Sequence, residues 1–329
     1  MPALKNFLAV TPQNFNETAL DIFNFQYQES PVYNQYCNTL HIDSTKIDNI
    51  CKIPYLPIDL FKTHIITTTQ FEPAVIFESS GTTKTINSRH LVKDISLYEQ
   101  SFINGFRLFY GHLADWCILA LLPSYLERNN SSLIMMADKL IQQSQHPNSG
   151  FYLKNLQKLQ DTLIQLEKQQ QKTLLIGVTF ALLDFAEQYP MRLKYTTIME
   201  TGGMKGRREE MTRQEVHHIL CDSFKIDKIH SEYGMTELLS QAYSTGDGIF
   251  NCAPWMKIMI REEDDPLLVH GASKNKTISG AVNIIDLANI YSCSFIATDD
   301  AGKLHPDESF EILGRLDNSD IRGCSLLSL

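Results

Sequence analysis

The sequence lacks any paired or metal-binding arrangement of cysteines. Its seven cysteines are scattered and odd in number, with no Cys-x-x-Cys pair and no Cys/His spacing typical of zinc sites. Reduced thiols are therefore expected, and a zinc site is not.

The sequence is also short of cations and of long apolar runs. Lys and Arg number 29 against 38 Asp and Glu, a net charge of −9, which argues against a nucleic-acid surface because such surfaces need clustered cations. The longest apolar stretch, Trp116 to Leu122, is far too short to span a bilayer. The first ten residues lack the apolar core of a secretory signal. These absences predict a cytoplasmic protein with no membrane span and no nucleic-acid partner.

What is present is the composition of a globular protein. The 329 residues, 43% apolar and 20% charged, suffice for about two domains or for one large α/β domain. Strand and helix patterns alternate in the first two thirds, which predicts an α/β fold with mixed sheets flanked by helices. From Met256 onward strands dominate. The predicted parts are an N-terminal helical cap (1–70), an α/β nucleotide- and acyl-binding core (71–255), a smaller β-rich subdomain (256–317) and a short tail (318–329).

The most informative stretch follows an apolar run, Ala74 to Phe77, which predicts a short buried strand. It continues through Glu78 into Ser79-Ser80-Gly81-Thr82-Thr83. Such a loop offers several backbone N–H groups and hydroxyls to one anion, as a triphosphate requires. The spacing is not that of a P-loop, and taken alone the cluster is more often an ordinary turn.

Three further motifs follow in order, each weak by itself. Tyr233-Gly234-Met235-Thr236-Glu237 comes after a predicted strand, Lys228 to His230, and before a predicted helix, a position where α/β sheets bind ligands. Thr298-Asp299-Asp300-Ala301-Gly302 alone predicts a β-turn. Gly314-Arg315-Leu316-Asp317 alone offers a surface cation.

In this order the four motifs resemble the adenylate-forming superfamily of acyl- and aryl-CoA ligases, luciferases and peptide-synthetase adenylation domains. The resemblance is closer still to the acyl-protein synthetases of bacterial bioluminescence operons, the LuxE-type fatty-acid activating proteins. Ser88-Arg89-His90, Leu122 to Arg128, Ser231 to Gln241 and Asn318 to Cys324 all look like that branch. Phenylacetate-CoA ligases are more distant relatives.

The resemblance implies roles for individual residues toward ATP and Mg²⁺. His90 and His230 are expected to be positioning or core residues rather than general bases. The implied contacts are Ser79, Ser80, Gly81, Thr82 and Thr83 with the β- and γ-phosphates, Gly202 and Gly203 with one face of adenine, Tyr233 stacked on adenine beside Gly234, Thr236 with the α-phosphate, Glu237 with Mg²⁺, Asp299 with the ribose hydroxyls, and Arg315 with the ribose or phosphates.

The C-terminal end departs from most of the superfamily. Most members continue past the Gly-Arg-x-Asp motif into a small domain that carries a catalytic lysine, whereas this sequence stops six residues after Gly323. The acyl-protein synthetases share that early ending, and in them a cysteine near the C-terminus accepts the acyl group. Cys324 is the implied acceptor here, since the nearby Arg322 favours a thiolate.

The predicted function is ATP-dependent activation of a carboxylic acid, implied to be a fatty acid, followed by transfer to a thiol. The transfer partner would be a thiol-bearing carrier, a reductase or an acyltransferase. Two alternatives stay open at this point: an acyl- or aryl-CoA ligase, and a non-catalytic scaffold that binds acyl-adenylate.

Overall fold

The computed structural model describes residues 6–79, 86–123, 130–202, 211–262 and 264–316. These residues form one mixed sheet of thirteen strands, flanked by helices, and a separate two-stranded hairpin. The helices are α1 (Phe15–Glu29), α2 (Pro31–Thr39), α3 (Leu60–Thr63), α4 (Ile95–Tyr110), α5 (Ser132–Ser144), α6 (Leu156–Lys168), α7 (Thr179–Gln188) and α8 (Arg213–Phe224), with short 3₁₀ turns at Phe7–Ala9, Ser44–Lys46, Ile50–Lys52 and Leu113–Asp115. The strands are β1 (Leu56–Pro57), β2 (Val75–Glu78), β3 (Arg89–Val92), β4 (Cys117–Leu121), β5 (Gly150–Phe151), β6 (Thr173–Val178), β7 (Thr196–Thr201), β8 (His230–Tyr233), β9 (Ala242–Ser244), β10 (Phe250–Cys252), β11 (Met256–Arg261), β12 (Val269–His270), β13 (Ile278–Asp286), β14 (Phe295–Leu304) and β15 (Phe310–Arg315).

One half of the large sheet is parallel, in the order β5-β4-β6-β7-β8. Every residue of β4 and β6 is buried, as expected of parallel strands with helices on both faces. The helices supply matching apolar faces: α6, for example, buries Leu159, Leu163 and Leu166, which lie on one side at helical spacing. The carboxyl ends of these strands share one edge, where α/β sheets place their ligands.

The other half is antiparallel and begins where β8 pairs with β9. It continues through β10, β15, β14, β13 and β11 to β12, and β1 joins β14 in parallel. The segment that reverses the chain between β8 and β9 is Gly234 to Gln241, which carries the Gly-Met-Thr-Glu motif. The most prominent motif therefore lies where the two halves meet.

The predicted α/β fold with a mixed sheet flanked by helices is confirmed. None of the helices in the described ranges is both long and apolar enough to cross a membrane. The domain boundaries given above stay predictions.

Three local expectations are wrong. The strand expected at Lys228 to His230 lies at His230–Tyr233, and a turn rather than a helix follows it, because distant side chains bind its backbone groups, as described below. The Thr298 to Gly302 motif is no β-turn but part of the ten-residue strand β14, with a bulge between Ala301 and Gly302. In β2 only Phe77 is buried, since this strand pairs with β3 alone.

Candidate active site

The base of the Ser/Thr/Gly loop is closed by two hydrogen bonds. Strands β2 and β3 form a hairpin in which Glu78 pairs with Arg89. Just beyond, the Ser79 N–H donates to Ser88 O at 3.1 Å, and the Ser88 N–H donates to Ser79 Oγ at 2.9 Å. The chain thus leaves and re-enters the hairpin at fixed points, and Ser79 is held by its neighbour across the loop.

Strand β3 also holds the Thr236-Glu237 backbone. His90 is buried, its Nδ1 lies 2.8 Å from Thr236 O, and its Nε2 lies 3.0 Å from Asn289 Oδ1. Burial lowers the pKa of His90 to about 4. With both ring nitrogens bound inside the protein, His90 positions the segment, as expected from the sequence.

A second support comes from the turn after β13. Asn289 Nδ2 donates to Glu237 O at 2.8 Å, and buried Asp286 accepts from Leu239 N at 2.7 Å and from Ser240 Oγ at 2.6 Å. These bonds satisfy backbone groups that would otherwise need a helix or water. They explain why a turn replaces the expected helix.

The N-terminal helix α1 supports that turn in its own right. Gln26 is fully buried, donates through Nε2 to Ile290 O at 2.9 Å, and accepts from Ser294 N at 2.9 Å. One amide thereby ties α1 to the residues that carry Asn289. The support of the site therefore reaches back to the first helix.

Glu237 is a buried carboxylate facing a few polar groups. Its side chain is only 5% exposed. Burial raises its pKa, while a hydrogen bond with Ser88 and the charges of Lys62 and Arg315 act in the opposite direction. Ser88, at the base of the Ser/Thr/Gly loop, therefore lies close to the carboxyl group of Glu237.

Tyr233 is the last residue of β8 and lies among aromatic rings. Its ring centroid is 6.0 Å from that of Phe250 and 5.8 Å from that of Phe310. Its hydroxyl donates to Asp300 Oδ2 at 2.7 Å. The neighbouring Asp299 instead faces Arg315, with Nη2 and Oδ2 3.5 Å apart. The two adjacent aspartates of β14 thus have different partners.

Gly202 occupies a position that favours glycine, and Gly234 lies close against a neighbouring side chain. Gly202 has φ of +70°, a conformation that L side chains rarely adopt, and its carbonyl accepts from Thr179 Oγ1 at 2.8 Å. At Gly234 a Cβ atom would come within 2.5 Å of Glu232 Oε1. The backbone can therefore approach closely at the ends of both β7 and β8.

A buried ionic cluster lies beneath these ends. Glu200 of β7 accepts from Arg213 Nε at 3.2 Å and from Ser231 Oγ at 2.9 Å, with His217 Nε2 at 3.5 Å from the same oxygen. Burial opposes ionisation, but hydrogen bonding with His217 and the charge of Arg213 outweigh it and lower the pKa of Glu200. This cluster fixes β7, β8 and α8 relative to one another.

The predicted site residues fall into three groups. Thr236, Gly202 and Gly234 line one cavity, Glu237 follows Thr236 in the same turn, and Ser79 bonds Ser88 at the base of the loop. Asp299 and Arg315 pair with each other on β14 and β15, and Tyr233 bonds Asp300 beside them. The residues that lie outside the described ranges are Ser80, Gly81, Thr82, Thr83, Gly203 and Cys324.

The residues that the sequence did not assign are the ones that hold the site from a distance. Asp286 and Asn289 fix the turn, and Glu232 and Gln241 line the cavity. A signal existed for Asp286, because an acidic residue within an apolar strand is rarely buried unless it has partners. Glu232 and Gln241 flank the recognised motif, and no pattern around either residue indicated that it lines a cavity.

The described residues fit magnesium only in company with a phosphate ligand. Among residues 6–79, 86–123, 130–202, 211–262 and 264–316, no three His, Cys, Asp or Glu side chains converge as a metal site. Mg²⁺ is commonly held by one or two carboxylates together with substrate phosphates and water. Glu237, buried beside the loop base, matches that arrangement.

The fold is that of adenylate-forming enzymes. ATP-bound MatB from Rhodopseudomonas palustris superposes with a TM-score of 0.53 at 14% identity, over 75% of this chain and 50% of that chain. A 2-hydroxyisobutyryl-CoA ligase in its postadenylation state gives 0.66 at 10% identity, over 94% and 70%. MenE, an O-succinylbenzoate-CoA synthetase from Bacillus subtilis solved with ATP and magnesium, gives 0.52 at 15%, over 77% and 52%. This chain spans about half the length of MatB and MenE.

Sequence comparison is decisive at the level of the family. No curated protein sequence matches. The family profile described as acyl-protein synthetase, LuxE, in contrast, matches residues 11–328, nearly the whole chain. The order of the motifs, the adenylate-forming fold and this match agree: the chain belongs to the LuxE acyl-protein synthetase family.

Proposed function

We propose that this protein activates a carboxylic acid with ATP and transfers the acyl group to a thiol. The observation that carries the proposal is that the hairpin bearing the Ser/Thr/Gly loop is joined to the Thr236-Glu237 segment through His90, beside a cavity lined by Thr236. A buried carboxylate, a hydroxyl-rich loop and an adjoining cavity are what a magnesium-assisted attack on a nucleotide requires. Family membership and the adenylate-forming fold support the same chemistry.

The reaction has two displacements. A carboxylate oxygen of the acid attacks the α-phosphorus of ATP, the bond to the β-phosphate oxygen breaks, and pyrophosphate leaves. A thiolate then attacks the acyl carbon, the bond to AMP breaks, and AMP leaves with the electron pair. Bound Mg²⁺ would neutralise charge on the leaving pyrophosphate. Thr236 would contact the α-phosphate, and His90 would keep its backbone in place.

Glu237 is suited to a site where a metal ion binds together with the nucleotide. Burial destabilises its ionised form, and Lys62 and Arg315 offset this only in part. The Mg²⁺ ion that accompanies the nucleotide would supply the missing positive charge. The same two cations would face the phosphates.

The acceptor thiol is assigned to Cys324, which lies outside the described residues. Most other thiols are poor candidates because burial raises their pKa and the thiolate is the nucleophile. The pKa is raised to about 12 for Cys37, about 11 for Cys117 and about 12 for Cys293, and it is raised for Cys221 and Cys252 as well.

Hydroxylamine trapping tests the function directly. The full chain with ATP, Mg²⁺ and a panel of acids should give an acyl hydroxamate with at least one acid, since an acyl-adenylate reacts readily with a strong nucleophile. A fatty acid, implied by the family resemblance, belongs in that panel. Acylated protein as the final product supports the proposal, a product that forms only with CoA points to a CoA ligase, and no hydroxamate with any acid points to a scaffold.

Nucleotide binding gives an independent prediction at β14. ATP with Mg²⁺ should raise the melting temperature by mass action on the folded state. Asp299→Ala should remove most of that rise, because the ribose hydroxyls lose their proposed carboxylate partner. The measurement is the thermal unfolding midpoint with and without ATP.

The neighbouring aspartate provides the matched comparison. Asp300→Asn keeps an oxygen that can accept from the Tyr233 hydroxyl, so its fold should survive. If the ATP-dependent rise in melting temperature persists in Asp299→Ala but disappears in Asp300→Asn, Asp300 rather than Asp299 would be the ribose contact.

A further inference from the structure

The two adjacent aspartates of β14 lie in a bulge that faces β13. The two strands pair at Ala281 with Ala301 and at Asn283 with Ala297, so residues 298–300 of β14 lie opposite a single residue of β13. A bulge of this kind interrupts the ladder of hydrogen bonds, and the backbone groups that it frees need other partners. The conformation of this segment is therefore set by whatever side chains bind those groups.

Arg261, the last residue of β11, reaches the bulge from two strands away. Its Nη1 donates to Val282 O at 2.9 Å and to Asn283 Oδ1 at 2.8 Å, and its Nη2 donates to Thr298 O at 2.6 Å. A guanidinium group is planar and carries five N–H donors in a fixed arrangement, so one side chain can hold several acceptors in a defined geometry. Arg261 thereby joins β11, β13 and β14 at the bulge.

Thr298 binds the bulge from within. This residue is buried, and its Oγ1 donates to Val282 O at 2.8 Å and accepts from Asp300 N at 3.2 Å. On the other side of β14, Leu316 N donates to Asp299 O at 2.6 Å. The backbone of both aspartates is thus hydrogen-bonded, and the carbonyl group that precedes Asp299 is held by the guanidinium group.

The direction of each aspartate side chain depends on this backbone. Asp299 faces Arg315, whereas Asp300 accepts from the Tyr233 hydroxyl. A binding group works only when it is held within about 0.5 Å of the productive geometry, and the residues behind it provide that precision. Loss of the guanidinium group would release the carbonyl before Asp299 and let the carboxylate move.

We propose that Arg261 is a positioning residue for ribose recognition, which fixes the bulge so that Asp299 can bind the 2′- and 3′-hydroxyl groups of ATP together. The inference rests on the proposed function, in which Asp299 is the ribose contact. The three acceptors of the guanidinium group named above belong to the protein, so Arg261 acts through the bulge and not by touching the nucleotide.

Equilibrium binding of ATP and of 2′-deoxy-ATP to the full chain with Mg²⁺, measured by isothermal titration calorimetry, tests this role and needs no acid. The wild-type protein should bind 2′-deoxy-ATP about tenfold or more weakly than ATP, the size of one hydrogen bond to a charged group. Arg261→Met should reduce this ratio of dissociation constants toward one, almost entirely by weakening the binding of ATP. Arg261→Lys keeps the charge but not the planar fork, so its ratio should be intermediate.

Two further variants separate positioning from stability. Thr298→Val removes the hydroxyl from the bulge but keeps the carbonyl that Arg261 binds, so the ratio should fall by less; this variant serves if Arg261→Met fails to fold. Ile258→Val removes one methylene group from a buried residue of the same strand. It should lower the melting temperature and leave the ratio unchanged.

A double-mutant cycle tests whether Arg261 acts through Asp299. If it does, Arg261→Met should cause no further loss of ATP affinity in the Asp299→Ala background, because the ribose contact is already gone. Full additivity of the two losses would show that Arg261 acts elsewhere and would overturn the proposal.

The remaining outcomes separate this role from the proposed function. An unchanged ratio in Arg261→Met, an equal fall of the ratio in Ile258→Val, or equal binding of the two nucleotides by the wild-type protein overturns the positioning role and leaves nucleotide binding standing. A wild-type protein that binds neither nucleotide overturns the proposed function itself.

Discussion

Replacing Glu237 with glutamine should slow acid-dependent pyrophosphate exchange by about 10²-fold or more, the size expected for losing one preorganised electrostatic group. The carboxylate is buried beside the loop base, where a metal–phosphate complex would need a negatively charged oxygen ligand. Glutamine keeps the shape and an acceptor oxygen but carries no charge. The loss should therefore appear in the rate of exchange.

The fold of this variant should be preserved. The contact that ties the turn to Asn289 uses the backbone carbonyl of residue 237, which the substitution does not touch. Burial raises the pKa of the Glu237 carboxyl group, so replacing it with a neutral amide should not lower the melting temperature. Glu308→Gln, an exposed carboxylate paired with Lys257, is the control for a change of net charge. An unchanged exchange rate in Glu237→Gln would move the proposed metal contact to another carboxylate.

Replacing Cys324 with serine should abolish acylation of the protein while acyl-adenylate formation continues. Labelled acid with ATP and Mg²⁺ should leave a hydroxylamine-sensitive label on the wild-type chain and none on the variant. The physical reason is the thiolate: Arg322 lies two residues away and is always cationic, whereas burial raises the pKa of most other thiols.

Cys51→Ser is the matched control, since Cys51 is a half-buried thiol in the 3₁₀ turn Ile50–Lys52. It should label like the wild type. Equal labelling of Cys324→Ser and the wild type would contradict the self-acylation model and assign the acceptor to another cysteine. Hydroxamate formation without any protein label would instead favour a separate carrier.

Much of the fold could be predicted because its signals are local. The alternation of strand and helix patterns predicted the α/β fold, and the apolar stretch Trp116 to Leu122 contains β4, in which every residue is buried. The order of the four motifs indicated the superfamily, and further segments such as Ser88-Arg89-His90 and Ser231 to Gln241 indicated the right family. Each motif and each apolar pattern depends on residues close together along the chain.

The support of the site could not be predicted, because its contacts join distant residues. His90 bonds Asn289 across 199 positions, and Gln26 bonds Ser294 across 268. Nothing in the periodicity near Thr236 indicates that Asp286 and Asn289 satisfy the backbone of the turn. For the same reason the strand context of Asp299 and Asp300 was missed: a two-aspartate stretch resembles a turn until Tyr233 and Arg315 are placed beside it.

The buried amide of Gln26 gives the first helix a part in the site that its position would not suggest. Through Ile290 and Ser294 it braces the turn on which Asn289, and hence the backbone of Glu237, depends. In the design of a shortened protein, or of a chimera with the N-terminal segment of a homologue, α1 and the turn after β13 should be treated as one unit. The sequence of the first thirty residues and that of positions 286 to 294 would have to be transplanted together.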